Sequence, residues 1–131
     1  MKETLSLYFS VALGGALGSA ARFFLSSKLN PLFPHFFWGT FLVNFTGSLA
    51  LGFLLGIMAQ RAVPLTWVVF LTAGFLGGFT TFSTFSAEVA RLLTDGESFW
   101  AMLYFFASAF FGVGGAALGL WGAHLAASTP S

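Results

Sequence analysis

Gly74-Phe75-Leu76-Gly77-Gly78-Phe79-Thr80-Thr81-Phe82-Ser83-Thr84-Phe85-Ser86 breaks an otherwise hydrophobic segment with glycines and hydroxyls. It is the least helix-like stretch of a sequence that reads as helical elsewhere. In hydrocarbon, an interrupted helix leaves backbone carbonyls and amides without partners, which is tolerated only where protein, water or an ion takes them up. Function is therefore to be sought first in this segment.

The surrounding chain belongs in a bilayer. Of its 131 residues 57% are hydrophobic and 7% charged, against roughly 45–50% and about 25% in soluble domains. There is no cysteine, so neither a disulfide framework nor a thiolate metal site is available. The five basic residues are scattered, and the net charge of +1 forms no nucleic-acid-binding patch. Met1-Lys2-Glu3 leads into an apolar run that imitates a signal peptide. The run continues to Leu25, however, and contains Gly14-x-x-x-Gly18, a spacing suited to a retained, packed helix.

A hydrocarbon core of about 30 Å needs about 20 mainly apolar residues per helix, and polar breaks divide the chain into four such spans: 5–26, 37–59, 65–90 and 99–126. Asn30-Pro31 with Pro34, Gln60 to Pro64, and Thr94-Asp95-Gly96-Glu97 supply the turns and caps between them. Trp38, Trp67, Trp100 and Trp121 lie near span ends, as interfacial aromatics do. The expected fold is an all-α integral membrane protein of four transmembrane helices per subunit, the third helix broken.

Four spans place both termini on one side with Lys2 and Arg61, and leave Lys28, Arg91 and the near-terminal Arg22 for the other side. A two-to-three split gives the positive-inside rule almost nothing to act on. The expectation is dual topology and an antiparallel pair, unless a weak bias suffices. Gly14/Gly18, Gly52/Gly56 and Gly115/Gly119 each have the spacing that lets helix backbones approach closely. Three such faces exceed the evident needs of one four-helix subunit, which again points to a homodimer.

Polar groups within the spans are few. Thr40, Asn44 and Ser48 are spaced four apart and share one helix face. The Asn44 amide offers two N–H donors suited to an anion, or a hydrogen bond to a neighbouring helix. Phe79, Phe82 and Phe85 form one stripe if that segment is helical, and aromatic ring edges are electropositive. The Gly77-Gly78 pair permits unusual backbone angles. The carbonyls freed there could hold a hard monovalent cation, as in broken transporter helices, or the pair could be a hinge. Tyr104, Ser108 and Gly112 make a second stripe, either packing glue or part of a ladder of donors. Arg22 reads either as a snorkelling side chain or as positive potential at an anion entrance. Glu88 lies three residues before Arg91, and a local ion pair is its simplest reading. His35 and His124 are isolated near interfaces, and Glu3, Asp95 and Glu97 lie outside the spans, so no catalytic constellation emerges.

Three motifs taken in order resemble a known family. Gly14-Gly15-x-x-Gly18-x-x-x-Arg22, Gly39-Thr40-x-x-Val43-Asn44-x-x-Gly47-Ser48 and Gly74-Phe75-x-Gly77-Gly78-x-Thr80-Thr81-Phe82-Ser83-Thr84-Phe85 are similar to those of the Fluc (CrcB-type) fluoride ion channels. The resemblance spans essentially the whole chain. It implies an antiparallel homodimer in the inner membrane of a prokaryote, with two pathways that passively export fluoride from the cytoplasm. By position it implies that Asn44 donates to fluoride and that Phe82 and Phe85 present ring edges to it. Thr40, Thr81, Tyr104 and Ser108 would lie along the pathway, and backbone carbonyls of Gly77 and Thr80 would bind a structural sodium ion at the dimer centre. Gly112 stands where the family often has another hydroxyl, and Phe23 where it often has Tyr or Trp.

The physical requirements of such a channel are donors and ring edges to replace the water around fluoride, and a narrow apolar lumen to disfavour larger anions. Two other functions compete. A small dual-topology proton-coupled exporter would need a protonatable group near mid-membrane, and the first span has no acid beyond Glu3. A purely structural subunit would leave Asn44, Thr80 and Thr81 without evident purpose.

Overall fold

The computed structural model describes residues 1–128. All its regular structure is helical, and four segments are long and apolar enough to cross a membrane: Lys2–Leu32, Trp38–Met58, Leu65–Thr94 and Ser98–Ser128. The first comprises α1 (Lys2–Leu29) and a 3₁₀ turn (Asn30–Leu32) that carries Pro31 in its first turn, where a missing N–H costs nothing. The second is α2 (Trp38–Met58). The third consists of α3 (Leu65–Val69), a π-helical stretch (Phe70–Leu76), the single turn α4 (Gly77–Phe79) and α5 (Phe82–Thr94). The fourth is α6 (Ser98–Ser128).

The spans pack in two pairs, first with third and second with fourth. In each pair the contacts advance in the same direction along both helices, so the paired helices are parallel. The glycine faces set this arrangement. A Cβ on Gly14 would strike the Phe70 carbonyl and Phe75 N, and one on Gly18 would strike the Phe75 carbonyl. Gly52 faces the backbone of Ala116, Gly56 meets Leu120 and Ala123, and Gly119 meets the carbonyl of Leu49. All three small-residue faces are thus used within one subunit, and the inference of a homodimer from a surplus of such faces does not hold.

Helix α5 ends in a Schellman motif. Gly96 is left-handed at φ +81°, its N–H donates to Leu93 O at 3.2 Å, and the Glu97 N–H donates to Leu92 O at 2.8 Å. This turn starts α6 beside α5, so that Phe85, Leu92, Ala101 and Tyr104 form a small buried core capped by Phe36 and Phe37. Elsewhere little is buried: 17% to 22% of the most apolar part of each span lies inside the chain. Most of each helix therefore faces lipid or another chain.

Candidate functional site

The break in the third span lies at Thr80 (φ −79°, ψ 156°) and Thr81 (φ −149°, ψ 120°), both extended. The two glycines expected to open the helix remain helical. Gly77 has φ −64° and ψ −37°, and among the described residues positive φ occurs only at Gly96. What Gly78 provides is proximity: a Cβ there would lie 2.6 Å from the carbonyl oxygen of Gly15. The break also divides the phenylalanine stripe, since Phe79 stacks on Phe75 before it while Phe82 and Phe85 begin the next helix.

Side chains take over the hydrogen bonds that the break removes. The Thr81 N–H, which would reach Gly77 O in a continuous helix, donates to Asn44 Oδ1 at 2.7 Å, and Asn44 Nδ2 donates to Thr81 O at 3.0 Å. Thr81 Oγ1 caps α5 by accepting from Thr84 N–H at 3.2 Å, the donor that Thr80 O would otherwise receive. Gly78 O accepts from Arg22 Nε at 3.0 Å and from Ser19 Oγ at 3.4 Å. Arg22 is therefore tied across to the third span. The carbonyls of Gly77 and Thr80 are left without their helical donors, and Gly77 sits on the outside of the bundle.

Beside the break a cavity of about 360 Å³ opens on the bundle surface, lined by Asn44, Ser48, Thr80, Thr81, Phe82, Phe85, Ser108 and Gly112 among others. Asn44 keeps one amide N–H beyond its bond to Thr81, and the Ser108 hydroxyl is buried without a hydrogen-bond partner. Phe82 is 80% exposed, whereas Phe85 is 8% exposed. Their ring centroids are 6.1 Å apart at an interplanar angle of 51°.

Thr40 and Tyr104 are not in this cavity. Both are fully buried, at 0% exposure, around the partly buried Glu88. Thr40 Oγ1 donates to Glu88 Oε1 at 2.7 Å, Tyr104 OH donates to Glu88 Oε2 at 2.7 Å, and Asn30 Nδ2 lies 3.2 Å from Oε1. The two polar stripes are each divided at the same level. Asn44, Ser48, Ser108 and Gly112 line the cavity, while Thr40 and Tyr104 meet the carboxylate. Phe85 joins the two centres, because its ring lines the cavity and packs edge-on against Tyr104 with centroids 5.4 Å apart.

Sequence reading missed Glu88 and Asn30. The expected Glu88–Arg91 pair is absent: Glu88 turns inward to three donors on other elements, and Arg91 faces Asp95 at 3.6 Å, both exposed. The available signal was that Glu88 is the one carboxylate at membrane depth. Asn30 was legible only as a turn residue, because its partners come from α2 and α5. His35 is not isolated either. It stacks on Trp100 at 5.6 Å with its Nδ1 3.9 Å from Glu97.

This geometry accompanies clear similarity to known proteins. The family described as CrcB-like protein, Camphor Resistance (CrcB), matches residues 9–120. A protein of Serratia proteamaculans named fluoride-specific ion channel FluC is 43% identical over 99 residues, covering 75% of this chain and 78% of the relative. Proteins of the same name from Nitrobacter winogradskyi and Escherichia coli are 42% identical over 125 residues (92% and 95% covered) and 39% identical over 118 (89% and 93%). The match takes in both polar centres and the break between them, and the chain belongs to the CrcB-like family.

Proposed function

We propose that the protein is a fluoride-specific ion channel that passively exports fluoride across the bacterial inner membrane. The carrying observation is the open, largely apolar cavity lined by Phe82 and Phe85, into which a few polar groups converge. Asn44 and Ser108 offer donors there, and the two aromatic rings stand beside them. Such groups can replace the hydration shell of a small anion while the surrounding phenylalanines exclude bulk water.

A second copy of the chain completes the pathway in this reading. Polar groups on a lipid-facing surface at membrane depth are costly. A cavity of about 360 Å³ is also far larger than the roughly 10–15 Å³ a single water needs, so a second surface must narrow it. An antiparallel partner presenting its own exposed Phe82 supplies that surface and gives two pathways per dimer. A sodium ion would be held by the carbonyls of Gly77 and Thr80 from both copies. Fit is supported by the loss of their helical donors, since main-chain oxygens suit a hard cation. The ion would contribute positive charge and rigidity at the centre of the assembly.

Glu88 gives the proton-coupled exporter a specific foothold, because it is a carboxylate within the third span. One experiment separates the two readings. Purified protein in liposomes should release fluoride down its gradient at a rate unchanged when the proton gradient is dissipated. Release that collapses with the proton gradient would instead favour exchange, and no release at all would reject both.

A further inference from the structure

We infer that Asn30 is a positioning residue for the fluoride pathway, fixing the Thr40 hydroxyl and one oxygen of Glu88, in the polar centre next to Phe85, through a single amide. The inference rests on the channel reading above, in which Phe85 lines the path, and the Glu88 centre reaches that path through the contact of Tyr104 with Phe85. Asn30 opens the 3₁₀ turn after α1, yet its hydrogen bonds go to α2 and α5. Its Oδ1 accepts from the Thr40 N–H at 3.2 Å, and its Nδ2 lies 3.1 Å from Thr40 Oγ1 and 3.2 Å from Glu88 Oε1. The orientation of the amide is determined, because a backbone N–H can only donate and must face the oxygen.

Two consequences follow. Thr40 is the third residue of α2, where the N–H has no intrahelical partner, and the N-cap Phe37 provides no side-chain bond. Asn30 therefore caps α2 from another helix. Gly39 makes room for it, since a Cβ there would lie 2.8 Å from Asn30 Oδ1. The second consequence concerns donor direction. Thr40 has one hydroxyl proton. With Asn30 Nδ2 donating into Thr40 Oγ1, that proton is directed to Glu88 Oε1 at 2.7 Å. Tyr104 occupies the other carboxylate oxygen and packs against Phe85. The amide thus sets the donor arrangement next to the ring that joins the two polar centres.

A capping role and a positioning role can be separated by substitution. Asn30→Asp keeps an oxygen for the Thr40 N–H, and Asp caps helices as well as Asn does. It removes the amide donor and sets a second carboxylate against Glu88. Combining Asn30→Asp with Glu88→Gln reverses the polarity of that hydrogen bond and leaves the summed charge of the two positions as in the wild type. Fluoride efflux from liposomes and thermal melting of the detergent-solubilised protein would be measured for wild type, Asn30→Asp and the double variant.

The single variant should slow efflux at least about tenfold, the scale of losing a hydrogen bond to a charged group. The double variant should conduct at least about fivefold faster than the single one, a coupling expected of direct contact. Efflux of Asn30→Asp within about twofold of wild type would overturn the proposal and leave only a cap. A double variant no faster than the single one, or failure of both to fold, would overturn it as well. Wild-type protein without fluoride efflux would instead remove the channel reading itself.

Discussion

Asn44 and Thr81 form a reciprocal pair: the Thr81 N–H donates to Asn44 Oδ1 at 2.7 Å, and Asn44 Nδ2 donates to Thr81 O at 3.0 Å. One side-chain amide thereby satisfies both backbone groups of an extended residue inside a membrane span. Replacing it by Ala leaves a donor and an acceptor unpaired, each costing about 1–3 kcal/mol. Asn44→Ala should lower the melting temperature and abolish fluoride efflux together. Asn44→Asp keeps the acceptor and should retain more stability while still failing to conduct. Equal melting of Asn44→Ala and wild type would show that the pair does not hold the break.

Phe82 and Phe85 should separate function from folding. Phe82 is exposed and has little to lose within the subunit, whereas Phe85 packs on Tyr104 and Phe105. Phe82→Ile should cut efflux at least about tenfold with monomer stability unchanged. Phe85→Ile should reduce both. Unaltered flux in both variants would remove the rings from the mechanism.

Arg22 holds Gly78 O, a carbonyl whose helical donor is lost to the break. A hydrogen bond from a charged donor contributes about 1.5–3 kcal/mol, so Arg22→Ala should lower thermal stability by that order. Arg22→Lys should recover part of the loss. If Arg22 only raised potential at an entrance, the variants would change efflux and its salt dependence while leaving melting intact.

The glycines divide into packed and open classes. Gly52→Val would drive methyl groups into the Ala116 backbone and separate α2 from α6, so little folded protein should be obtained. Gly112 has nothing within 4 Å and borders the cavity beside Ser108. Gly112→Ser should fold normally and raise fluoride efflux by adding a hydroxyl to the path. Slower efflux with normal folding would count against the polar lining as a conducting surface.

Topology can be read directly because the chain has no native cysteine. Ala62→Cys lies in the exposed turn between the second and third spans. A membrane-impermeant maleimide applied to intact cells should label about half of the protein if insertion is dual. Complete labelling, or none, would establish a single orientation.

Four spans were legible in the sequence because a bilayer demands length and apolarity, which are local properties of a chain. The turn at Gly96 was equally legible, since a left-handed cap favours glycine whatever surrounds it. The existence of a break was readable from Gly77 to Thr81, but its position was not. Gly78 serves close packing against Gly15, and the helix opens at the threonines because Asn44 and Arg22, distant in sequence, are placed to hydrogen-bond its backbone groups, Arg22 as donor and Asn44 as both donor and acceptor.

The same distinction separates the parts of the site. Asn44, Phe82, Phe85 and Ser108 could be selected by residue type and spacing. Only the tertiary structure showed that Thr40 and Tyr104 leave their stripes to meet Glu88, and that Asn30 joins them. Sequence proximity paired Glu88 with Arg91, three residues along one helix. Packing instead turned the carboxylate inward to donors from α2, α6 and the first turn, since a carboxylate drawn from water is stable only where hydrogen-bond donors converge on it.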